Sequence, residues 1–179
     1  GLTLWGPSGV KPEWGTKAWV EHMRKMWAWE EATRASAVDP RGLELTVNEI
    51  DWKAVNQEIY NENGVVVRSI PAIHADQSVS FILEWNGLKF AFSSDTMPNK
   101  WWIEHTQGAD LSIHECVLPP DLFIEKYDFT PSEAIMVGTQ AHTAPAAFGK
   151  VMAMTEPRMA VAYHFQNDTD TAPRVLQLS

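Results

Sequence analysis

The chemistry-bearing residues of this chain stand at the ends of predicted strands, and that placement limits the folds open to it. They are four histidines and two acids: His74, Asp95, His114, Glu115, His142 and His164. A side chain at the carboxyl end of a strand faces the crevice in which α/β proteins hold ligands. Imidazole nitrogens and carboxylate oxygens are the usual ligands of Zn²⁺, and they also suit Mn²⁺ and Fe²⁺. Because strand ends are rigid, residues scattered along the sequence can still converge on one metal site.

The apolar pattern changes along the chain from hairpins to an alternation of strands and helices. Two Asn-Gly pairs, at 63–64 and 86–87, separate short apolar runs and predict tight turns with positive φ. The predicted helices span about 15–34, 131–139 and 144–154, and the predicted strands span 2–5, 43–50, 65–67, 79–83, 88–92, 111–113 and 160–163. Hairpins followed by strand–helix units indicate an α/β or α+β layered fold in which helices cover sheets.

Composition excludes several classes of protein. The net charge of −9 and a pI of about 5.1 argue against a general nucleic-acid binder, which needs a basic patch to neutralise phosphates. Cys116 is the only cysteine, so neither an internal disulfide nor a thiolate zinc cluster can form. No apolar run approaches the roughly 20 residues that a membrane-spanning helix needs. Nine tryptophans suit either a Trp-rich core or a pocket walled by aromatic rings.

Each candidate ligand also has a structural interpretation when it is taken alone. His74 follows a strand and can be a structural residue, and His164 after an apolar strand can be a satisfied core histidine. Asp95 can cap the segment that follows it, and His142 can belong to the start of a helix. The residues are therefore interpreted as a site because of their joint pattern.

Six short motifs carry that joint pattern along the chain. They are Leu4-Trp5-Gly6-Pro7-Ser8-Gly9, Ala72-Ile73-His74, Phe92-Ser93-Ser94-Asp95-Thr96, Asp110-Leu111-Ser112-Ile113-His114-Glu115, His142-Thr143 and Val161-Ala162-Tyr163-His164-Phe165. Their order resembles the second half of metallo-β-lactamase superfamily proteins in the ribonuclease Z and arylsulfatase-like branch. The resemblance covers nearly the whole chain and implies the C-terminal part of an αββα sandwich.

The resemblance also implies a role for each residue of the site. His74, Asp95 and His164 are expected to bind two divalent metal ions, with Asp95 as the bridge. Zinc is the expected metal, and manganese or iron are alternatives. His142 is expected to protonate the leaving group while Glu115 holds its imidazole, because a carboxylate neighbour raises a histidine pKa and fixes its tautomer.

Further expectations concern the neighbours of these residues. Trp101 and Trp102 closely follow the proposed bridging aspartate, so one of them is expected to line the substrate pocket. His114 is expected to support the structure rather than the reaction. Ser94 stands where the family usually has glycine, which can shift the backbone beside Asp95. The chain has no basic, glycine-rich insertion like the arm with which ribonuclease Z grips transfer RNA.

The defining cluster of the superfamily, His-x-His-x-Asp-His, does not occur in this sequence. In the family it precedes the Gly-Pro strand, which is the first element here. Residues 1–179 are therefore expected to be a single domain, an incomplete fold that lacks its N-terminal half and is inactive alone. A missing N-terminal segment is expected to complete the site, and a short inactive protein is the alternative.

These observations predict a hydrolase that uses a metal-bound hydroxide on an ester-like bond of a small organic substrate. The bond is a phosphodiester, sulfate ester, lactone or β-lactam, and the acidic chain argues against a nucleic-acid substrate. One alternative is a non-catalytic binding or interaction domain that keeps the fold without a complete metal site. Another is a di-iron oxidoreductase on the same scaffold. The sequence leaves the oligomeric state open, and it leaves open whether the protein is cytoplasmic or periplasmic.

Overall fold

The computed structural model describes residues 1–37, 39–165 and 169–179. These residues form two units, Gly1–Trp52 and Lys53–Ser179. That residues 1–179 are one incomplete domain stays a prediction. Within the described ranges, no helix combines the length and the apolar character that crossing a membrane requires.

The first unit is a long helix packed against a pair of parallel strands. Its elements are β1 (Leu2–Pro7), α1 (Thr16–Arg34) and β2 (Leu45–Ile50). The hydroxyl of Thr16 donates to the carbonyl of Pro7 at 2.8 Å, and the backbone N–H of Lys17 donates to the Glu49 carboxylate at 2.9 Å. These two bonds tie the first turn of α1 to both strands. The strands and helix predicted here are confirmed to within two residues at each end.

The second unit contains a mixed sheet whose strands lie in chain order. In the part of the chain that the structure describes, its six strands are β3 (Gln57–Glu62), β4 (Val65–Pro71), β5 (Val79–Trp85), β6 (Leu88–Phe92), β7 (Leu111–Glu115) and β8 (Ala160–Tyr163). Neighbours from β3 to β6 are antiparallel, whereas β6, β7 and β8 are parallel. Asn63, Gly64, Asn86 and Gly87 have positive φ, as the predicted tight turns require. The predicted α/β fold class is confirmed.

Helices occupy the chain between and after the parallel strands. They are α2 (Lys100–His105), α3 (Pro120–Tyr127), α4 (Pro131–Ile135), α5 (Pro145–Thr155) and α6 (Thr171–Leu178). A reciprocal capping box starts α4, because the side chains of Thr130 and Glu133 each accept the other's backbone N–H. The segment Met136–Ala141 continues as a π-helix, so only the first half of the helix predicted over 131–139 is regular. The sequence did not predict α3 and α6.

Two apolar clusters hold the second unit together. The first joins the sheet to α2 and α5 through Ile70, Ile82, Ala91, Trp102, Ala109 and Val151. The second lies among α3 to α6 and comprises Cys116, Val117, Leu118, Leu122, Phe123, Ala134, Phe148 and Val175. Burial of this apolar surface is the main favourable contribution to folding. The first cluster also fixes the strand ends from which the candidate site residues follow.

Candidate metal centre

The candidate site lies at the edge of the sheet where its parallel strands end. Glu115 ends β7, Asp95 follows β6 by three residues, and His164 directly follows β8. Because β4 runs in the same direction as β6, its carboxyl end brings His74 to this edge as well. His142 reaches it from the segment before α5. The topology therefore places all five residues of the predicted site at one edge of the sheet.

Three of these residues lie close enough together to share an ion. Asp95, His142 and His164 each offer a ligand atom, and these atoms all lie within 4.8 Å of one another. Nε2 of His164 lies 3.6 Å from Oδ2 of Asp95. One carboxylate and two imidazoles form a donor set that zinc accepts in proteins. The residues present therefore fit a divalent metal ion.

His74, a predicted ligand, lies beside this group rather than within it. Its ring centroid is 4.6 Å from that of His142, and the His142 ring is 5.0 Å from that of His164. Nδ1 of His74 lies 3.0 Å from the carbonyl oxygen of Ala141. Since a carbonyl only accepts, Nδ1 carries the proton, and in the neutral ring Nε2 keeps the lone pair that a metal ligand needs. Its role as a ligand stays a prediction.

Glu115 holds His142 from inside the protein. It is fully buried, and its carboxylate oxygens lie 3.1 and 3.2 Å from Nδ1 of His142. The backbone N–H groups of Thr96 and Thr143 donate to the same carboxylate, the second at 3.3 Å. Because Nδ1 faces Glu115, Nε2 is the nitrogen of His142 that remains for an ion or a substrate. This is the geometry expected of a residue that positions His142.

Burial shifts the pKa values of both partners toward their neutral forms. It raises the pKa of Glu115 to about 7, although the backbone bonds from Thr96 and Thr143 lower it. Burial also lowers the pKa of His142, and the neighbouring charge of His74 lowers it further. The sequence predicted a raised pKa for His142, and that is wrong because desolvation outweighs the attraction of Asp95. The lowered pKa favours the neutral imidazole, the form that binds metals.

The backbone around the site adopts the left-handed region at residues that do not favour it. Among the residues that the structure describes, most positive φ values at non-glycine positions fall at asparagines in turns or at helix ends: Asn56, Asn63, Asn86, Asp128 and Glu156. The others are at Gln77, Ser94 and His164, with φ of 68°, 54° and 77°. Ser94 precedes Asp95, His164 is itself a candidate ligand, and Gln77 follows His74 by three residues. Such strain concentrates at functional sites.

Residues on the inner side of the site belong to the core. His114 is fully buried, with Nδ1 2.7 Å from the Glu115 carbonyl oxygen and its ring 4.8 Å from that of Trp102. Burial lowers the pKa of His114 to about 4. The predicted structural role of His114 is therefore confirmed. Trp102 is also fully buried, so of the predicted pocket pair only Trp101, with Lys100 over its ring, reaches the surface. The pocket role of the pair stays a prediction.

Two threonines and an asparagine, for which the sequence pattern predicted no role, connect the segments of the site by hydrogen bonds. The Thr143 hydroxyl donates to the Thr96 carbonyl at 2.7 Å. The Thr96 hydroxyl accepts from the Ile73 N–H at 2.9 Å and from the Asn99 amide at 3.1 Å. These bonds connect the segments that carry His74, Asp95 and His142. The available signal was a hydroxyl residue directly after Asp95 and another directly after His142.

No family model and no curated protein matches the sequence. Solved structures do match it. Zn²⁺-bound PqqB from Methylobacterium extorquens is 18% identical with a TM-score of 0.61, over 99% of this chain and 58% of that protein. The short form of human tRNase Z is 15% identical with a TM-score of 0.60, over 92% of this chain and 60% of that protein. The metallo-β-lactamase fold protein YhfI from Bacillus subtilis is 12% identical with a TM-score of 0.54, over 75% of this chain and 48% of that protein.

At these identities the likeness is one of fold. The chain spans about half to three fifths of each of these three proteins. What those proteins bind or cleave therefore bears on this chain only as support for a proposal about its function.

Proposed function

We propose that this chain, which has the metallo-β-lactamase fold, is part of a metal-dependent hydrolase with its centre at the edge of the mixed sheet. The observation that carries the proposal is the convergence of Asp95, His142 and His164, whose ligand atoms lie within 4.8 Å of one another. Two of the similar structures support it, since one contains Zn²⁺ and the other is a tRNase.

The proposed ligands are the three residues that the geometry brings together and His74 beside them. Asp95, His142 and His164 would hold one divalent ion, and Asp95 and His74 would contribute to holding a second. Zinc suits this set of imidazole and carboxylate donors, and manganese and iron also accept it. A bound divalent ion would supply the Lewis acidity that activates water and polarises the bond to be cleaved.

The residues around the ions position groups and hold protons. In its ionised form Glu115 accepts the Nδ1–H of His142, so Nε2 is available for ligation. The backbone bonds from Thr96 and Thr143 hold the Glu115 carboxylate in place. If His142 instead serves as the proton donor that the resemblance implies, Nε2 is also the atom that meets the leaving group. Metal binding by a His142 variant separates the two roles.

The proposed substrate is a small organic molecule with an ester-like bond. A net charge of −9 disfavours approach of a polyanion, so tRNA is not the substrate we propose. The arylsulfatase-like part of the resemblance stays a prediction.

Metal content of the 179-residue chain tests the proposal most directly. The purified protein is dialysed against zinc and the bound metal is measured before and after chelation. We expect bound zinc that a chelator removes. A second assay follows hydrolysis of p-nitrophenyl esters of several classes by the full-length protein. Turnover that persists unchanged after metal removal contradicts the mechanism, and a full-length protein that binds no zinc favours the non-catalytic binding domain instead.

A further inference from the structure

A cavity of about 420 Å³ opens directly beside the candidate metal centre. Two of its lining residues, His142 and His164, belong to the proposed ligands. The other lining residues that the structure describes are all apolar: Val117, Phe123, Val137 and Phe165. This volume is within the range of small-molecule sites, which are typically apolar with a few polar groups at one side.

The walls of the cavity are built into the fold. Val117 and Phe123 are buried members of the second apolar cluster. The Phe123 ring stacks on Phe129 at 5.4 Å, and the Val117 N–H donates to the Thr143 carbonyl at 3.0 Å. Val137 lies in the π-helical segment, a conformation that is frequent at functional sites. The cavity is therefore preformed rather than a gap between mobile side chains.

The charges near the cavity do not suit an anionic substrate group. Apart from His142 and His164, none of the described lining residues carries a basic side chain. The cations of the adjacent helices α3 and α6 are already engaged. Lys126 lies 2.6 Å from Asp170, and Arg174 lies 2.7 Å from Asp121 and 3.0 Å from Glu125. Because burying an unpaired anion against apolar side chains is costly, a phosphate or sulfate among Val117, Phe123, Val137 and Phe165 would find no partner there.

Resting on the proposed function, we infer that this cavity binds an uncharged aryl or short alkyl group attached to the scissile bond. Carboxylic esters and lactones suit this arrangement, because the group they place in the cavity carries no charge. In the reaction, water adds its oxygen to the carbonyl carbon and the bond from that carbon to the alkoxy oxygen breaks. One proton of the water passes to the leaving alcohol, and the carboxylic acid product ionises.

The test uses two probes that share a phenyl ring and differ in charge, acetophenone and phenylphosphonate. Binding is titrated by NMR on the metal-free 179-residue chain in the presence of chelator, so that no ion attracts the phosphonate. We expect acetophenone to bind in the millimolar range and phenylphosphonate to bind at least tenfold more weakly. The methyl signals of Val117 and Val137 should shift with acetophenone, while those of Val79, buried in β5, should not.

A matched pair of variants sharpens the result. Val137→Phe places a ring in the cavity and should weaken acetophenone binding at least tenfold. Ile135→Phe adds the same ring at a half-exposed position nearby that does not line the cavity, and should leave binding within twofold. Equal binding of the two probes, or methyl shifts absent from Val117 and Val137, overturns the inference. These titrations need no metal, so they test the cavity inference independently of the hydrolase proposal. Failure of the hydrolase proposal is detected by the zinc measurement.

Discussion

His114 and His142 both contact Glu115, but His114 belongs to the core and His142 to the candidate site. His114 is fully buried against Trp102, and its Nε2 has no hydrogen-bond partner among the described residues. His142 is only partly buried, and it lines the cavity and belongs to the group of proposed ligands. Both rings direct Nδ1 at an oxygen of the same residue, the backbone carbonyl in one case and the carboxylate in the other. Whether an imidazole is structural or chemical is therefore decided by what its second nitrogen can reach.

The backbone conformation also differs between the core and the site. Residues of β6 and β7 behind the site have ordinary strand geometry, whereas Ser94 and His164 at the strand ends have positive φ. The core region gains stability from packing, and the edge retains strain that the packed core can sustain. The comparison predicts that changes on the core side alter stability and that changes at the edge alter metal binding.

The largest expected effect is on the core side, at Trp102. Replacing this fully buried ring with alanine should lower the free energy of unfolding by about 3–5 kcal/mol, through lost burial and a cavity. Trp85→Ala, at a half-exposed position in the same unit, should change it by about 0.5 kcal/mol or less. Urea unfolding followed by circular dichroism measures both. Equal losses for the two variants would contradict the prediction that changes on the core side have the larger effect on stability.

A second prediction concerns the pH dependence of stability at His114. Its pKa of about 4 in the folded protein lies below the ordinary value of 6.5. Protonation of His114 therefore favours the unfolded chain. The contribution of the neutral ring to the free energy of unfolding is complete above pH 6.5, and about 3 kcal/mol of it is lost as the pH falls toward 4. His114→Gln cannot be protonated and should lose correspondingly less stability over that range. His22→Gln, at an exposed position of α1, serves as the control. Parallel profiles for the wild type and His114→Gln would contradict the assignment.

On the site side, the expected effect is on metal affinity. Asp95→Asn removes the carboxylate charge from the proposed centre and should weaken zinc binding about a hundredfold, or about 2.7 kcal/mol. Asp76→Asn changes an exposed acid two residues after His74 and should leave zinc affinity nearly unchanged. Competition with a fluorescent zinc chelator measures both. If both variants bind zinc as tightly as the wild type, Asp95 is not a ligand.

A smaller and more discriminating effect is expected at His142. If it is a ligand, as the distances favour, His142→Ala should weaken zinc binding by about tenfold to a hundredfold. If it acts only as a proton donor, zinc affinity should stay at the wild-type level while ester turnover falls. Measuring zinc affinity and turnover on the same preparation of the full-length protein assigns the role either way.

Much of this arrangement could be predicted from the sequence because it depends on local patterns. The Asn-Gly turns, the apolar runs and the residues after each strand are encoded within a few positions, so the strands and the site edge were predictable. The lowered pKa of His142 was not, because it depends on burial and on His74, which lies far away in the sequence. The π-helix and α6 have no comparable local signal. Trp102 likewise differs from Trp101 only through what packs around it.

The smallest effect tests the strain at the edge of the site. Ser94 has φ of 54°, where a residue with a Cβ is disfavoured by about 1 kcal/mol and glycine is not. Ser94→Gly should therefore raise the free energy of unfolding by up to about 1 kcal/mol. The greater conformational entropy of glycine in the unfolded chain reduces this gain. Ser132→Gly, at an exposed position inside α4, should lower it instead, because helical φ gives glycine no advantage. Opposite signs for one and the same substitution would locate the strain beside Asp95. Two losses of equal size would show that the edge is as relaxed as the core.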